Sequence, residues 1–345
     1  MNINSLRLFN HQLSGSVFQA PREIVSWMGA IQSQDYNMAK LAIGVRLPES
    51  TAAAIEEAFN RGEILRTHIL RPTWHFVAPE NIRWMLMLTS ARIKASSKSR
   101  DIELGITEEL YSRANKIIER VLEERKQMTR KELTEEIGKA GLIADTPHMI
   151  HFMMRAEADG LVCSGAMRGK EHTYALLEER VPKAASLHMS EALAKLTGIY
   201  FRSHGPATLH DFVWWSGLSV TEAREGLESI KGELAKEEAD GQTYWFFDGS
   251  GFKESGESTV HLLPAFDEYI VSYRDRSTII TEEYSKVISS NGVFRPIVLL
   301  NGKVVGIWKK SGTKKQPIIF EFFKKIDLPD MQFIDRMSGK LTAFL

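Results

Sequence analysis

Four consecutive polar side chains, Gln32, Ser33, Gln34 and Asp35, follow an apolar segment near the N-terminus and precede Tyr36. A neutral glutamine amide offers both an acceptor and donors, so two of them can position one water molecule without removing its proton. Such a pair suits a reaction in which the leaving group departs easily and the transition state is cationic. The alternative interpretation is a solvated helix end.

The element that carries the two glutamines decides whether they can act together. The apolar periodicity that runs through Ile31 predicts a helix over Pro21–Gln32. Residues i and i+2 of a helix project roughly 200° apart at 3.6 residues per turn. Gln32 and Gln34 can therefore reach one water only if the helix breaks near Ser33.

A helix–turn–helix pattern followed by a short β-hairpin recurs three times, which is the order of elements in a winged helix. In the middle copy, a capping box of Thr129 and Glu132 opens the first helix, and Thr146 opens the second. Winged helices mostly bind nucleic acid, so the repeat favours a DNA-binding protein. The predicted strands of the three copies are Glu63–Ile69 with Thr73–Ala78, Leu161–Cys163 with Thr173–Leu177, and Gly232–Lys236 with Thr243–Phe247.

The last part of the chain is rich in strand patterns, and Asn301–Gly302 between two apolar runs predicts a hairpin. We therefore predict an α+β, mostly helical fold with three tandem winged-helix units and a C-terminal β-rich part. The predicted domains are residues 1–104 (winged helix 1 with a helical connector), 105–187 (winged helix 2), 188–256 (winged helix 3) and 257–345 (β-rich domain).

Charge is balanced overall but distributed unevenly. The formal net charge is zero, which argues mildly against indiscriminate binding to nucleic acid. Residues 81–104 carry five basic side chains against two acidic ones, whereas residues 221–248 carry three basic against eight acidic. The third copy is therefore expected to act as a scaffold or to face away from phosphates.

Several classes of protein are excluded by missing signatures. The sequence has no P-loop, dinucleotide-binding glycine fingerprint, nucleophile elbow or metalloprotease helix. Cys163 is the only cysteine, which excludes an internal disulfide, and we expect it to be buried in a strand. His148 and His151 lack further ligands at helical spacing, so we expect hydrogen-bonded or exposed side chains, with no metal and no cofactor. No apolar run has membrane-spanning length and the N-terminus lacks a signal-peptide stretch, which predicts a cytoplasmic protein with no membrane contact.

Resemblance to a known family rests on three segments: GAIQSQDYNMAKLAIGVRL, RPTWHFVAPENIRWML and HLLPAFDEYIVSYRDRS. They resemble the tandem winged-helix DNA glycosylases of bacteria, which include the azinomycin-resistance glycosylase and relatives that unhook interstrand crosslinks. The resemblance covers most of the chain. It implies a concave cradle of three winged helices for duplex DNA.

The same resemblance implies roles for the glutamine segment. Gln32 and Gln34 would hold the catalytic water, and Asp35 and Tyr36, which complete the most specific motif, would contact the substrate. The sequence differs from the family pattern at Ser33, where an aliphatic residue is usual.

Alternation within the second segment sends Arg71, Thr73 and His75 to one face of a strand and Trp74 to the other. Either this is a wing strand with a wet polar face, or Arg71 and His75 lie beside the abasic sugar or phosphates. Other basic residues are expected to bind DNA, those of the connector and the second wing on a concave basic surface. They are Arg83, Arg92, Lys94, Lys98, Arg100, Arg168, Lys170, Arg274 and Arg276.

For Arg274 and Arg276, the alternative to phosphate contact is an Asp–Arg lattice that holds the last domain. The tryptophan pair Trp214–Trp215 is expected to pack in the core, with base stacking as the alternative.

The leading hypothesis is a monofunctional DNA glycosylase that hydrolyses the N-glycosidic bond of N-alkylated, cationic purines in duplex DNA. An alkylated purine already carries positive charge, so the enzyme has to hold a water and stabilise oxocarbenium character at the sugar. This reaction needs no lysine nucleophile, metal or cofactor, and we expect a monomer. The sequence leaves open which lesion is removed, whether the base is flipped, and two other functions: a non-catalytic winged-helix regulator and a protein-interaction scaffold.

Overall fold

The computed structural model describes residues 2–181, 187–248, 252, 258–311, 313 and 316–345. Within these ranges the helices are α1 (Ile3–Asn10), α2 (Pro21–Met28), α3 (Tyr36–Gly44), α4 (Ala52–Asn60), α5 (Pro79–Leu104), α6 (Glu108–Arg125), α7 (Arg130–Lys139), α8 (Thr146–Ala158), α9 (Leu177–Arg180), α10 (Met189–Ser203), α11 (Leu209–Ser216), α12 (Val220–Ile230), α13 (Glu268–Val271), α14 (Glu282–Ile288) and α15 (Leu328–Phe344). The strands are β1 (Ile31–Gln32), β2 (Leu65–His68), β3 (Trp74–Val77), β4 (Gln127–Thr129), β5 (Val162–Ser164), β6 (Thr173–Leu176), β7 (Leu234–Ala239), β8 (Gln242–Phe247), β9 (Val260–Leu263), β10 (Ser289–Ser290), β11 (Val293–Phe294), β12 (Ile297–Leu300), β13 (Lys303–Lys310) and β14 (Ile318–Phe322).

The chain divides into two compact units, one formed by Met1–Glu56 with Leu193–Leu345 and the other by Glu57–Ala192. The first unit is therefore assembled from two separate stretches of sequence. The four-domain division expected from the motifs stays a prediction, and its boundary at residues 256–257 lies outside the described residues.

In the Glu57–Ala192 unit, helices α6, α7 and α8 pack with the antiparallel sheet β4-β6-β5 around an apolar core. The core includes Ile118, Leu122 and Phe152, which are completely buried. The predicted capping box is present, because the Thr129 side chain accepts the N–H of Glu132 and the Glu132 carboxylate accepts the N–H of Thr129. Local capping chemistry therefore opens helix α7 where the sequence predicted.

The other unit contains a four-stranded antiparallel sheet in the order β14-β13-β12-β9, covered by α15. Trp308 and Ile334 lie in the core between this sheet and the helix. Asn301 and Gly302 have φ of 51° and 74°, as a type I′ hairpin turn requires, so the predicted hairpin is confirmed. The strand patterns predicted after residue 256 are confirmed as β9, β12, β13 and β14.

Each predicted copy of the repeat contains a helix pair followed by an antiparallel hairpin. The pairs are α2 and α4 before β2–β3, α7 and α8 before β5–β6, and α11 and α12 before β7–β8. The fold is thus mixed helix and sheet, and the assignment of these three segments as winged helices stays a prediction.

The lone cysteine is buried, and both histidines of the pair are hydrogen-bonded to aspartates. Cys163 lies completely buried in β5, and burial raises the pKa of its thiol to about 12, as expected of an inert core residue. His148 and His151 are hydrogen-bonded to Asp145 at 2.7 Å and to Asp101 at 2.6 Å. In the described part of the chain, no helix combines the length and hydropathy that crossing a bilayer requires.

Candidate active site

The glutamine pair lies beyond a helix break rather than in a helix. Helix α2 ends at Met28, because Gly29 adopts a φ of 76° that reverses the chain, and strand β1 follows. The prediction of a helix through Gln32 is therefore wrong in its last turn. Strand β1 ends at Gln32 and Gln34 lies in a bend, so helical geometry does not force the two side chains apart.

The three residues differ in their exposure to solvent. Gln32 is 8% exposed and Ser33 is completely buried, whereas Gln34 is exposed. A small residue therefore fills the buried position between the glutamines. Whether the two amides share one cavity stays a prediction.

Asp35 fixes the chain immediately after the pair. Its carboxylate accepts the main-chain N–H groups of Asn37 and Met38, both at 3.0 Å, and so caps helix α3. The next residue, Tyr36, lies under the ammonium group of Lys40, 4.9 Å from the ring centroid. The predicted contacts of Asp35 and Tyr36 with substrate stay predictions, and the observed contacts position the end of the glutamine segment.

Glu268, the first residue of α13, fixes the chain at the other end of the pair. Its Oε1 accepts the main-chain N–H of Gln32 at 2.7 Å, and its Oε2 accepts the indole N–H of Trp215 at 3.1 Å. The hydroxyl of Ser272 lies 2.5 Å from the same Oε2. Since Glu268 is 1% exposed, β1, α11 and α13 meet on one buried carboxyl group.

Two buried histidines line the same region. His204 Nε2 lies 3.8 Å from Glu268 Oε2, and the ring stacks on Tyr200 with centroids 4.9 Å apart. Burial lowers the pKa of His204, although Glu268 opposes that shift. Burial, aided by His204, also lowers the pKa of His11 well below its usual value. Burial therefore favours the neutral form of both rings.

The third family-like segment is anchored by a buried ion pair. Asp267 binds both terminal nitrogens of Arg46 at 2.8 Å, but Arg46 lies outside this segment, so the Asp–Arg lattice expected for Arg274 and Arg276 stays a prediction. Arg276 donates from Nε to the carbonyl of Ile270 at 2.7 Å, and Arg274 is exposed. Phosphate contact by Arg274 and Arg276 stays a prediction.

The tryptophan pair divides between core and surface. Trp215 is completely buried, as expected, whereas Trp214 is 41% exposed and donates its indole N–H to the carbonyl of Val271. Core packing is therefore correct for Trp215 only.

The strand that carries His75 does not have a wet polar face. His75 is completely buried, and its Nδ1 donates to the carbonyl of Thr73 at 2.9 Å, so that part of the prediction is wrong. Trp74, expected on the buried face, is partly exposed, and the Arg66 guanidinium lies 3.6 Å from its ring centroid. Beyond Trp74, neighbouring residues on both faces of β3 are buried, which an alternating sequence pattern does not reveal. Arg71 and Thr73 precede the strand and are partly buried.

Most of the basic side chains expected to bind DNA have partners within the Glu57–Ala192 unit. Four of the partners given below are carboxylates, and the basic DNA-binding surface stays a prediction. Lys98 and Lys170 are exposed. The observed contacts are Arg83 with Glu178 at 3.5 Å, Arg92 with the Leu88 carbonyl at 3.0 Å, Lys94 with Asp159 at 2.5 Å, Arg100 with Glu103 at 2.5 Å and Arg168 with Glu132 at 2.7 Å.

Comparison with known proteins assigns this chain to a family. A family model described as DNA glycosylase AlkZ-like matches residues 25–319, which include the glutamine pair and Glu268. The chain belongs to the AlkZ-like DNA glycosylases. An interstrand DNA cross-link repair glycosylase of Streptomyces sahachiroi is 23% identical over 316 residues, covering 83% of this chain and 81% of that protein. The solved structure of Streptomyces sahachiroi DNA glycosylase AlkZ has the same fold, with a TM-score of 0.83, 16% identity, and coverage of 99% of this chain and 95% of that one.

For this AlkZ-like glycosylase, the resemblance found in the sequence is confirmed. The sequence-based predictions concerned only the arginines of the segment that contains Glu268, as phosphate ligands or as part of an Asp–Arg lattice, and missed the contact of Glu268 with Gln32. Adjacent acids in an otherwise apolar run, Asp267 and Glu268, were the available signal, because buried carboxyl groups need donors. Among the described residues, no cluster of three or more His, Cys, Asp or Glu side chains is placed to hold a metal ion.

Proposed function

We propose that this AlkZ-like glycosylase hydrolyses the N-glycosidic bond of N-alkylated, cationic purines in duplex DNA, with Gln32 and Gln34 holding the attacking water. The observation that carries the proposal is the break at Gly29, which puts the pair in non-helical backbone between two carboxylate anchors. In a continuous helix the two amides would diverge.

The chemistry of the substrate matches the weakness of the proposed catalytic groups. A purine alkylated at N7 or N3 carries a positive charge and leaves as a neutral base, so a general acid is not needed. Positive charge then develops at the sugar, where amide oxygens can stabilise it and orient the water that attacks. Because the amides do not remove a proton in advance, the water keeps its proton until the C–O bond forms and then releases it to the solvent.

Large lesions are included among the proposed substrates. The name of the Streptomyces relative refers to repair of interstrand cross-links. We therefore include in the proposed substrates purines whose alkyl group joins the two strands of a duplex. Hydrolysis of one crosslinked nucleotide would separate the strands and leave an abasic site.

The proposal is tested with an end-labelled duplex that carries one N7-methylguanine. We expect alkali cleavage at the lesion after incubation with the protein, well above a control without enzyme, and no cleavage of the unmodified duplex. A crosslinked duplex should yield separated strands on a denaturing gel. No cleavage at the lesion, together with tight binding to a lesion-free sequence, would instead support a transcriptional regulator.

We further propose that the three helix-pair and hairpin segments are winged helices, and that Lys98 and Lys170 contact DNA phosphates. Reversing both charges (Lys98→Glu with Lys170→Glu) should weaken binding to every duplex, since phosphate contacts carry no sequence information. The slope of log Kd against the logarithm of salt concentration should fall by about 2, because each of the two lost phosphate contacts contributes about 0.9 to that slope.

The matched control is the double variant Lys231→Glu with Lys236→Glu, which makes the same charge change in the acidic third copy. Both side chains are exposed. Fluorescence anisotropy over a range of salt concentrations measures both variants. Equal effects of the two would show that total charge, rather than a defined surface, governs binding.

A further inference from the structure

The carboxyl group of Glu268 is buried at a point where three separate elements need an acceptor. It is 1% exposed, and it accepts hydrogen bonds from the main-chain N–H of Gln32 and the indole N–H of Trp215. A carboxyl group in such a place costs free energy unless donors satisfy it, so the donors and the acid stabilise each other. A residue 236 positions away in sequence therefore fixes the main chain of Gln32.

The main chain of the glutamine segment is held at both ends by carboxylates. Glu268 binds Gln32 at the start, and Asp35 binds the two N–H groups that begin α3 at the end. Strand β1 has two residues, so its own ladder offers little support.

We propose that Glu268 is a positioning residue for base excision, which acts through the main-chain N–H of Gln32 and does not touch the substrate. This inference rests on the proposed function. Its physical basis is that catalysis by weak, neutral groups depends strongly on geometry, and a displacement of about 1 Å can cost about 100-fold in rate.

The test is the variant Glu268→Gln, which keeps the size of the side chain but replaces one acceptor oxygen with a donor NH2. The new amide has one oxygen, so it can accept either the Gln32 N–H or the Trp215 N–H. The other N–H then faces the NH2 group and loses its hydrogen bond. We expect the single-turnover rate of excision to fall by between about 10- and 100-fold. The Kd for the duplex should not change.

The matched control is Tyr269→Phe, on the same helix. It removes a buried hydrogen bond from the Tyr269 hydroxyl to the Gly302 carbonyl, at 3.0 Å, and leaves the Glu268 carboxyl group in place. This variant should lower the free energy of unfolding and leave excision unchanged. An equal loss of excision in both variants would mean that Glu268 serves stability alone.

A direct readout of the anchor does not depend on activity. Ile31–Gln32 is the only Ile-Gln sequence in the chain, so labelling Ile with carbonyl 13C and Gln with 15N isolates one amide resonance. A hydrogen bond to a carboxylate shifts that resonance downfield, and Glu268→Gln should move it upfield and speed its exchange with solvent. Tyr269→Phe should leave it in place.

If Glu268→Gln does not fold, Ser272→Ala provides a milder change, because it removes a neighbour 2.5 Å from Oε2 and leaves the carboxyl group. It should move the same resonance and slow excision, both by less than the effect expected of Glu268→Gln. Excision at the wild-type rate with a displaced Gln32 resonance would overturn the positioning role while leaving the proposed function intact. Absence of excision by the wild-type protein would overturn both.

Discussion

Replacing Gln32 or Gln34 with alanine should lower the single-turnover rate of base excision by about 100-fold, because loss of one transition-state contact costs about 3 kcal/mol. A contact that forms only in the transition state does not contribute to binding of the substrate. The Kd for a lesion-containing duplex should therefore stay within about twofold of the wild-type value. Quench-flow or manual sampling with enzyme in excess measures the rate, and anisotropy measures the Kd.

The matched control for this prediction is Gln12→Ala. Gln12 is 6% exposed, its amide oxygen accepts the Val17 N–H at 3.3 Å, and it lies outside the glutamine pair. The control should lose stability without a selective loss of excision. If Gln32→Ala and Gln34→Ala behave like the control, with a lower melting temperature and a normal rate, the two amides have a structural role and the catalytic assignment is wrong.

Asp267→Ala should produce the largest loss of stability of any single substitution considered for this protein. Asp267 and Arg46 are 0% and 1% exposed, and two bonds of 2.8 Å join them. Removing the carboxylate leaves a buried guanidinium uncompensated, and such a change costs about 3–5 kcal/mol. Urea unfolding followed by circular dichroism gives the change in the free energy of unfolding.

An exposed ion pair provides the comparison. Glu57 binds Arg61 at 2.6 Å, but the two side chains are 68% and 51% exposed. Water screens this pair, so Glu57→Ala should cost no more than about 1 kcal/mol. If the two substitutions cost the same, the Arg46–Asp267 pair is solvated in solution and does not anchor the segment that carries Glu268.

The sequence predicted elements whose signals are local. Thr129 with Glu132 marks a helix start through contacts three residues apart, and Asn301–Gly302 marks a turn through its own backbone preferences. These features are present where expected because no distant residue is needed to specify them.

The sequence did not predict features that depend on distant contacts. Apolar periodicity extended α2 as far as Gln32, but Ile31 is buried as part of a strand, and Gly29 ends the helix four residues earlier than expected. Periodicity reports burial and cannot distinguish the two kinds of element over so short a run. The contact between Glu268 and Gln32 spans 236 positions, and no local pattern encodes it.

The products of one reaction test the proposed hydrolysis most directly. A duplex with a single N7-methylguanine is incubated with excess wild-type protein, with and without borohydride, and the free base is quantified by mass spectrometry. We predict free N7-methylguanine in an amount equal to the alkali-labile sites, an intact strand before alkali, and no protein–DNA adduct after borohydride. A trapped adduct, which would reveal an amine nucleophile, or the absence of free base, would contradict hydrolysis by a water that Gln32 and Gln34 hold.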